Sequence, residues 1–219
     1  MQRYLDPADA DVVGLCPRPG PMSPHVRAFG RYPDVSAMRP GDLVLVSAVE
    51  PTWLSRRIMA AQEQGGFAAD DARWHHAAVY VGNGRICEAT LRGVQACDLD
   101  QYVGTHRIRV RRDPQLRAMQ GYDIAMHALF RMRWYYSLWT LVRLLLQSWR
   151  GFHADPVALP LSSSRAVICS MLYADAYSLV TQRVLGNAAG ATPTPAFLSA
   201  TPILDDVVCG WRALEGGSP

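Results

Sequence analysis

Apolar positions recur along the chain with two different periods, and each change of period marks an element. Leu43-Val44-Leu45-Val46-Ser47 follows the turn residues Arg39-Pro40-Gly41-Asp42 and predicts a strand. Trp53, Leu54, Ile58 and Ala61 recur at helical spacing, and Gly65-Gly66 ends the helix predicted over 53–64. Two runs of small, β-branched and aromatic residues, 75–81 and 85–90, flank Gly82-Asn83-Gly84. Asn and Gly accept the positive φ of a tight turn, so this pattern predicts a β-hairpin. Val94-Gln95-Ala96 predicts another short strand, and Ile108-Arg109-Val110-Arg111, alternating apolar and basic, a strand with one solvated face. Asp113-Pro114 opens a helix running to about residue 130, with Asp113 as N-cap. Residues 135–147 predict a second, strongly apolar helix. A third begins at Cys169, with Leu172, Ala176 and Leu179 on one face, and Thr194-Pro195 opens a last short one.

Residues 1–38 are rich in Pro and Gly and read as an irregular arm lying over the domain, with Cys16 and His25 in solvated loops. Residues 39–213 form a single domain, and the tail 214–219 frays. A chain of 219 residues, 49% hydrophobic, is long enough for one domain with a real core. The formal charge of +3 does not call for a nucleic-acid partner, and no phosphate loop or basic-aromatic signature is present. All 22 basic residues are Arg, a usage that GC-rich codons account for.

Five cysteines, an odd number without a Cys-x-x-Cys, argue against a disulfide framework and a structural zinc site and fit a reducing compartment or one reactive thiol. The first 20 residues lack the apolar core of a secretory signal, and the stretch 134–149, which contains Arg143, is too short to span a bilayer. A cytoplasmic location is expected, with export by a signal-independent route left open. The same stretch, with Arg131, Arg133 and Arg150 at its ends, reads as a core helix with snorkelling arginines or as a membrane-surface helix.

Candidate chemistry centres on the hairpin and on Cys169. If Gly82, Asn83 and Gly84 all lie in the loop, closed by Val81 and Arg85, Glu88 falls opposite Ala78 and shares a face with His76. A two-residue Asn83-Gly84 loop puts Glu88 on the other face. A helix N-terminus stabilises a thiolate, and a neighbouring imidazolium does so further. Cys169 therefore suits a nucleophile, His76 a base and Glu88 the group that orients it. By spacing alone the same residues also read as a small buried hydrophobe and an ordinary half-buried histidine. His75, His76, Cys87 and Glu88 make a poor metal site, because neighbours on a strand point to opposite faces. Asp70-Asp71 reads as a solvated turn, and Glu63, Asp205 and Asp206 have no evident partner.

The order of motifs carries a resemblance. Arg39-Pro40-Gly41-Asp42-Leu43-Val44 comes first, then Trp74-His75-His76-Ala77-Ala78-Val79-Tyr80-Val81-Gly82-Asn83-Gly84 and Ile86-Cys87-Glu88-Ala89, then Ile168-Cys169-Ser170, and last Pro195-Ala196-Phe197-Leu198-Ser199-Ala200-Thr201-Pro202. Over 39–207 this resembles the circularly permuted branch of the NlpC-type papain-like cysteine hydrolases, in particular the YiiX-like proteins, whose core lecithin retinol acyltransferase and its relatives share. The resemblance implies an α+β fold, a small antiparallel sheet packed against a Cys-bearing helix. It implies Cys169 as nucleophile, His76 rather than His75 as base and Glu88 as the third polar member. Tyr136 resembles a tyrosine that the family carries between the strands and the Cys helix. Tyr136, Ser170 and Trp74 are expected to contact the substrate.

The implied reaction is hydrolysis of an amide bond, in a cell-wall peptide or a related compound, through a thioester acyl-enzyme. No metal or organic cofactor is required. Two alternatives stand beside it: an acyl-lipid hydrolase or acyltransferase using the same site, motivated by the apolar 134–149 stretch, and a catalytically silent binding module.

Overall fold

A computed structural model of the chain describes residues 3–16, 22–132, 135–136, 166–167, 169–185 and 193–214. The elements follow in the order β1 (Val12–Cys16), α1 (Pro24–Phe29), β2 (Arg31–Pro33), β3 (Leu43–Ala48), α2 (Trp53–Gln64), α3 (Ala69–Ala72), β4 (His76–Gly82), β5 (Arg85–Thr90), β6 (Gly93–Asp98), β7 (His106–Arg112), α4 (Ala118–Phe130), β8 (Tyr135–Tyr136), β9 (Ala166–Val167), α5 (Cys169–Thr181), α6 (Pro195–Ala200), β10 (Asp205–Val207) and β11 (Trp211–Leu214). Among the described residues they form an α+β architecture around one antiparallel sheet of strand order β10-β7-β3-β4-β5-β6.

The unbroken apolar run of β3 has a simple cause: both of its faces are buried. Leu43 and Leu45 pack with Ala77, Val79 and Cys87 against Ile124 and Ala128 of α4 and Leu172, Tyr173 and Ala176 of α5. Val44 and Val46 pack with Ala78, Tyr80, Ile86 and Ile108 against Leu5, Val26, Tyr32 and Trp211. Full burial of each such aliphatic side chain stabilises the fold by roughly 1.5–3 kcal/mol. The N-terminal segment is thus the second layer over the sheet. It is not irregular throughout: β1 and β2 flank β11 in a three-stranded sheet, and Cys16 is buried there rather than solvated.

The turn before β3 is fixed by its polar residues. Asp42, only 1% exposed, takes two hydrogen bonds from the Arg112 guanidinium and one from the Arg39 N–H. Gly41 has φ +88°, and a Cβ there would come within 2.4 Å of the Gly121 carbonyl oxygen, so glycine lets α4 lie against this turn.

Other expectations are corrected. The arginines of β7 do not face solvent: Arg109 and Arg111 are 7% and 6% exposed, covered by α6 and β10. Asp206, which has no evident sequence partner, takes two bonds from Arg109, and Asp71 accepts one from the Ser199 hydroxyl. The helix expected from Asp113 starts later, at Ala118, with Arg117 as its N-cap; buried Asp113 accepts the Gln115 N–H in a separate turn and holds Tyr177 and Arg183. Leu179 is exposed, unlike Leu172 and Ala176. The helix expected over 135–147 lies outside the described residues except for Tyr135–Tyr136, which form the short strand β8. No helix among the described residues is long and apolar enough to cross a membrane.

Candidate active site

The hairpin brings His76 and Glu88 onto one face by a route that sequence spacing does not reveal. Asn83 and Gly84, at φ +52° and +71°, make the two-residue turn, and Gly82 pairs with Arg85. A register shift between Tyr80 and Gly82 then inserts Val81 as a bulge. The extra residue restores the parity that a two-residue turn alone would invert, so Ala78 pairs with Glu88 as the longer loop predicts. Upstream, buried Gln62 donates to the carbonyls of Ala72 and Trp74 and pins the approach to β4.

His76 Nε2 lies 2.8 Å from Glu88 Oε2. The imidazole is 16% exposed and the carboxylate 1%. Four further side chains converge on that carboxylate. Tyr102 OH donates to Oε2 at 2.5 Å, while Gln95, Gln101 and the Cys97 thiol donate to Oε1 at 3.1, 3.2 and 3.3 Å. Burial opposes the charge on Glu88, but His76 and the other donors hold its pKa down at about 2.

Cys169 opens α5 and is 8% exposed. The His76 imidazole and the backbone N–H groups of Ala77 and Ser170 lie beside its sulfur. Ala77 precedes the first paired residue of the β4–β5 ladder, so its N–H is available to the sulfur. Burial opposes the thiolate, but the imidazolium and these N–H groups lower the Cys169 pKa. Burial also opposes charge on His76, but the Cys169 sulfur and Glu88 together raise its pKa. The arrangement favours a thiolate–imidazolium pair.

His75 points elsewhere. Its Nε2 accepts the Ala48 N–H at 2.9 Å, and burial beside His76 and His106 pushes its pKa down to about 4. Ser170 is fully buried, with no partner for its hydroxyl among the described residues. Trp74, expected at the substrate, is instead a core residue, 1% exposed and packed edge-on against Tyr4 at 5.6 Å. Tyr136 lies in β8, which pairs in parallel with β9.

Sequence reasoning missed Tyr102, Gln95, Gln101 and Cys97. Gln95 had a signal: a tight Leu91-Arg92 turn puts it opposite Glu88. Tyr102 and Gln101 sit at the end of a 3-10 turn, Leu99–Tyr102, and no local pattern points either of them at Glu88.

No family model and no curated protein matches the chain. Among solved structures it is similar to the crystal structure of the metalloprotein YiiX from Escherichia coli O157:H7, of the DUF1105 group, with a TM-score of 0.53 and 15% identity over 78% of this chain and 96% of that one. The fold is therefore YiiX-like.

Proposed function

We propose that this chain is a cysteine-dependent hydrolase that cleaves an amide bond through a thioester acyl-enzyme, as a member of the permuted NlpC-type papain-like hydrolases. The observation that carries the reading is the His76 imidazole, hydrogen-bonded to buried Glu88 and set beside Cys169 at the start of a helix. Glu88 accepts a hydrogen bond from Nε2–H, so Nδ1 is the nitrogen left to exchange a proton with the thiol.

In the proposed reaction the Cys169 thiolate attacks the amide carbonyl, and its backbone N–H is one donor to the oxyanion. The C–N bond then breaks as the His76 imidazolium protonates the leaving amine. Neutral His76 removes a proton from water, the hydroxide attacks the thioester, and the carboxylic acid leaves as the thiol regains its proton. Cell-wall peptides and related amides are the substrate class.

YiiX of Escherichia coli is a metalloprotein. The residues here do not fit a metal ion. Both Glu88 oxygens are occupied by donors, and among the described residues no group of three or more His, Cys, Asp or Glu is arranged to hold one.

The test is thiol reactivity against pH. Wild type, His76→Ala and Cys169→Ala are alkylated under native conditions, and the label is mapped by mass spectrometry. Selective labelling of Cys169 well below the free-thiol pKa of about 8.5, weakened about a hundredfold without His76, is the expected result. A Cys169 that behaves as an ordinary buried thiol sinks the reading. With the thiolate established, stem-peptide amides are the substrates to screen for hydrolysis that Cys169→Ala lacks.

A further inference from the structure

We propose that Tyr102 is a positioning residue of this site: its hydroxyl, donated to the same Glu88 oxygen that His76 uses, fixes the carboxylate against the imidazole and thereby sets the reactivity of Cys169. The inference rests on the reading of Cys169 as an activated nucleophile.

Glu88 needs such a restraint. A carboxylate can turn about its last side-chain bond, and only one orientation keeps Oε2 on His76. The donors on Oε1 are longer, at 3.1 to 3.3 Å, and Gln101, one of them, is exposed. The Tyr102 bond is the shortest of the set at 2.5 Å and is shared on Oε2. A phenol suits the task because burial beside Glu88 raises its pKa, so it donates without surrendering its proton.

The backbone around Tyr102 is anchored on both sides. Leu99 N–H donates to Gly84 O at 2.8 Å, Val103 N–H to Asp100 O at 3.0 Å, and Leu99 and Val103 are fully buried. The ring packs edge-on against His106 at 4.9 Å, which holds its plane. The turn that follows β6 thus delivers the hydroxyl to a fixed point beside His76.

The test uses the full chain and iodoacetamide. Wild type, Tyr102→Phe, Glu88→Gln and the double variant are alkylated from pH 5 to 9, Cys169 labelling is quantified by mass spectrometry, and folding is checked by thermal melting. In Tyr102→Phe the acid limb of Cys169 labelling moves up by about one pH unit, a rate loss of about tenfold near pH 6. The substitution adds nothing in the Glu88→Gln background, because its effect passes through Glu88. Tyr102→Leu, which removes the ring as well, moves the limb by the same amount. An unmoved limb with a lower melting temperature assigns Tyr102 a packing role only and overturns the proposal. A shift that adds to that of Glu88→Gln overturns it too. In both cases Cys169 of wild type still labels at low pH and the hydrolase reading stands. If wild-type Cys169 shows no such labelling, that reading fails first and the proposal with it.

Discussion

Two buried charge clusters lie on the same sheet, and they are built for opposite ends. On β7, Arg109 gives two bonds to Asp206 and one to the Ser199 hydroxyl, while Arg111 donates to the carbonyls of Leu198, Ser199 and Leu204 at and after the end of α6. Neither arginine can give up its charge, because a guanidinium does not lose its proton in a protein. On β4 and β5, His76, Glu88 and Cys169 also meet out of solvent, but one proton can move between sulfur and imidazole. Cationic groups at a helix C-terminus satisfy orphan carbonyls and lock two elements together. A thiol and an imidazole at a helix N-terminus instead share a proton that substrate chemistry can use. Burial alone does not distinguish a structural cluster from a reactive one; the titration behaviour of its members does.

The largest expected effect breaks the first cluster. Asp206→Asn removes the carboxylate that Arg109 binds twice and leaves it, among the described residues, only Asp71, 3.6 Å away, and breaking such a buried pair costs on the order of 3 kcal/mol. Urea unfolding at pH 7 reads this as a lower midpoint with an unchanged slope. A change below about 1 kcal/mol would mean that Asp71 and the helix carbonyls suffice to hold the arginines.

The two clusters were unequally legible in the sequence. The hairpin and the Cys169 helix follow from side-chain period and turn chemistry, which are local; the pairing of Ala78 with Glu88 does not, because the turn is the two-residue one and only a bulge restores that register. The bulge at Val81 is not legible, because nothing in Tyr80-Val81-Gly82 says which residue the ladder skips. The arginines of β7 were misread for a physical reason: apolar-basic alternation is identical whether the basic face meets water or meets a carboxylate and helix carbonyls brought from ninety or so residues away. The donors around Glu88 fail likewise, since cross-strand and turn residues converge only after the sheet has formed. Irregular backbone was expected before residue 39 because Pro and Gly dominate there, yet the partner of β1 is β11, at the other end of the chain.

A middle-sized effect separates the clusters by pH. His75 and His106 are held neutral by burial, each with its pKa pushed down to about 4 from 6.5. The unfolded chain binds their protons more readily, so their contribution is fully present above pH 6.5 and is lost as pH falls towards 4. Urea midpoints measured at pH 7.5, 6 and 5 should fall, by on the order of 1 kcal/mol per histidine at the lowest value. His75→Gln, whose amide oxygen can take the Ala48 N–H, flattens the fall. The destabilisation caused by Asp206→Asn stays constant across this range, because arginine does not titrate there. A midpoint that His75→Gln leaves equally pH-sensitive removes His75 from the account.

The smallest expected effect is the sharpest contrast with the first. Cys169→Ala also removes one member of a buried ion pair, yet the loss of stability at pH 7 should stay within about 1 kcal/mol. The raised pKa of His76 depends on the Cys169 sulfur as well as on Glu88. Without that sulfur the imidazole can shed its proton and remain as a neutral donor to Glu88, so no uncompensated charge is left behind. Arg109 has no such exit when Asp206 is lost. The same logic predicts that a histidine titration followed by NMR finds the His76 pKa lower in Cys169→Ala than in wild type. A stability loss as large as that of Asp206→Asn would show instead that the thiolate–imidazolium pair is a structural bond, and that a mobile proton is not what sets the second cluster apart.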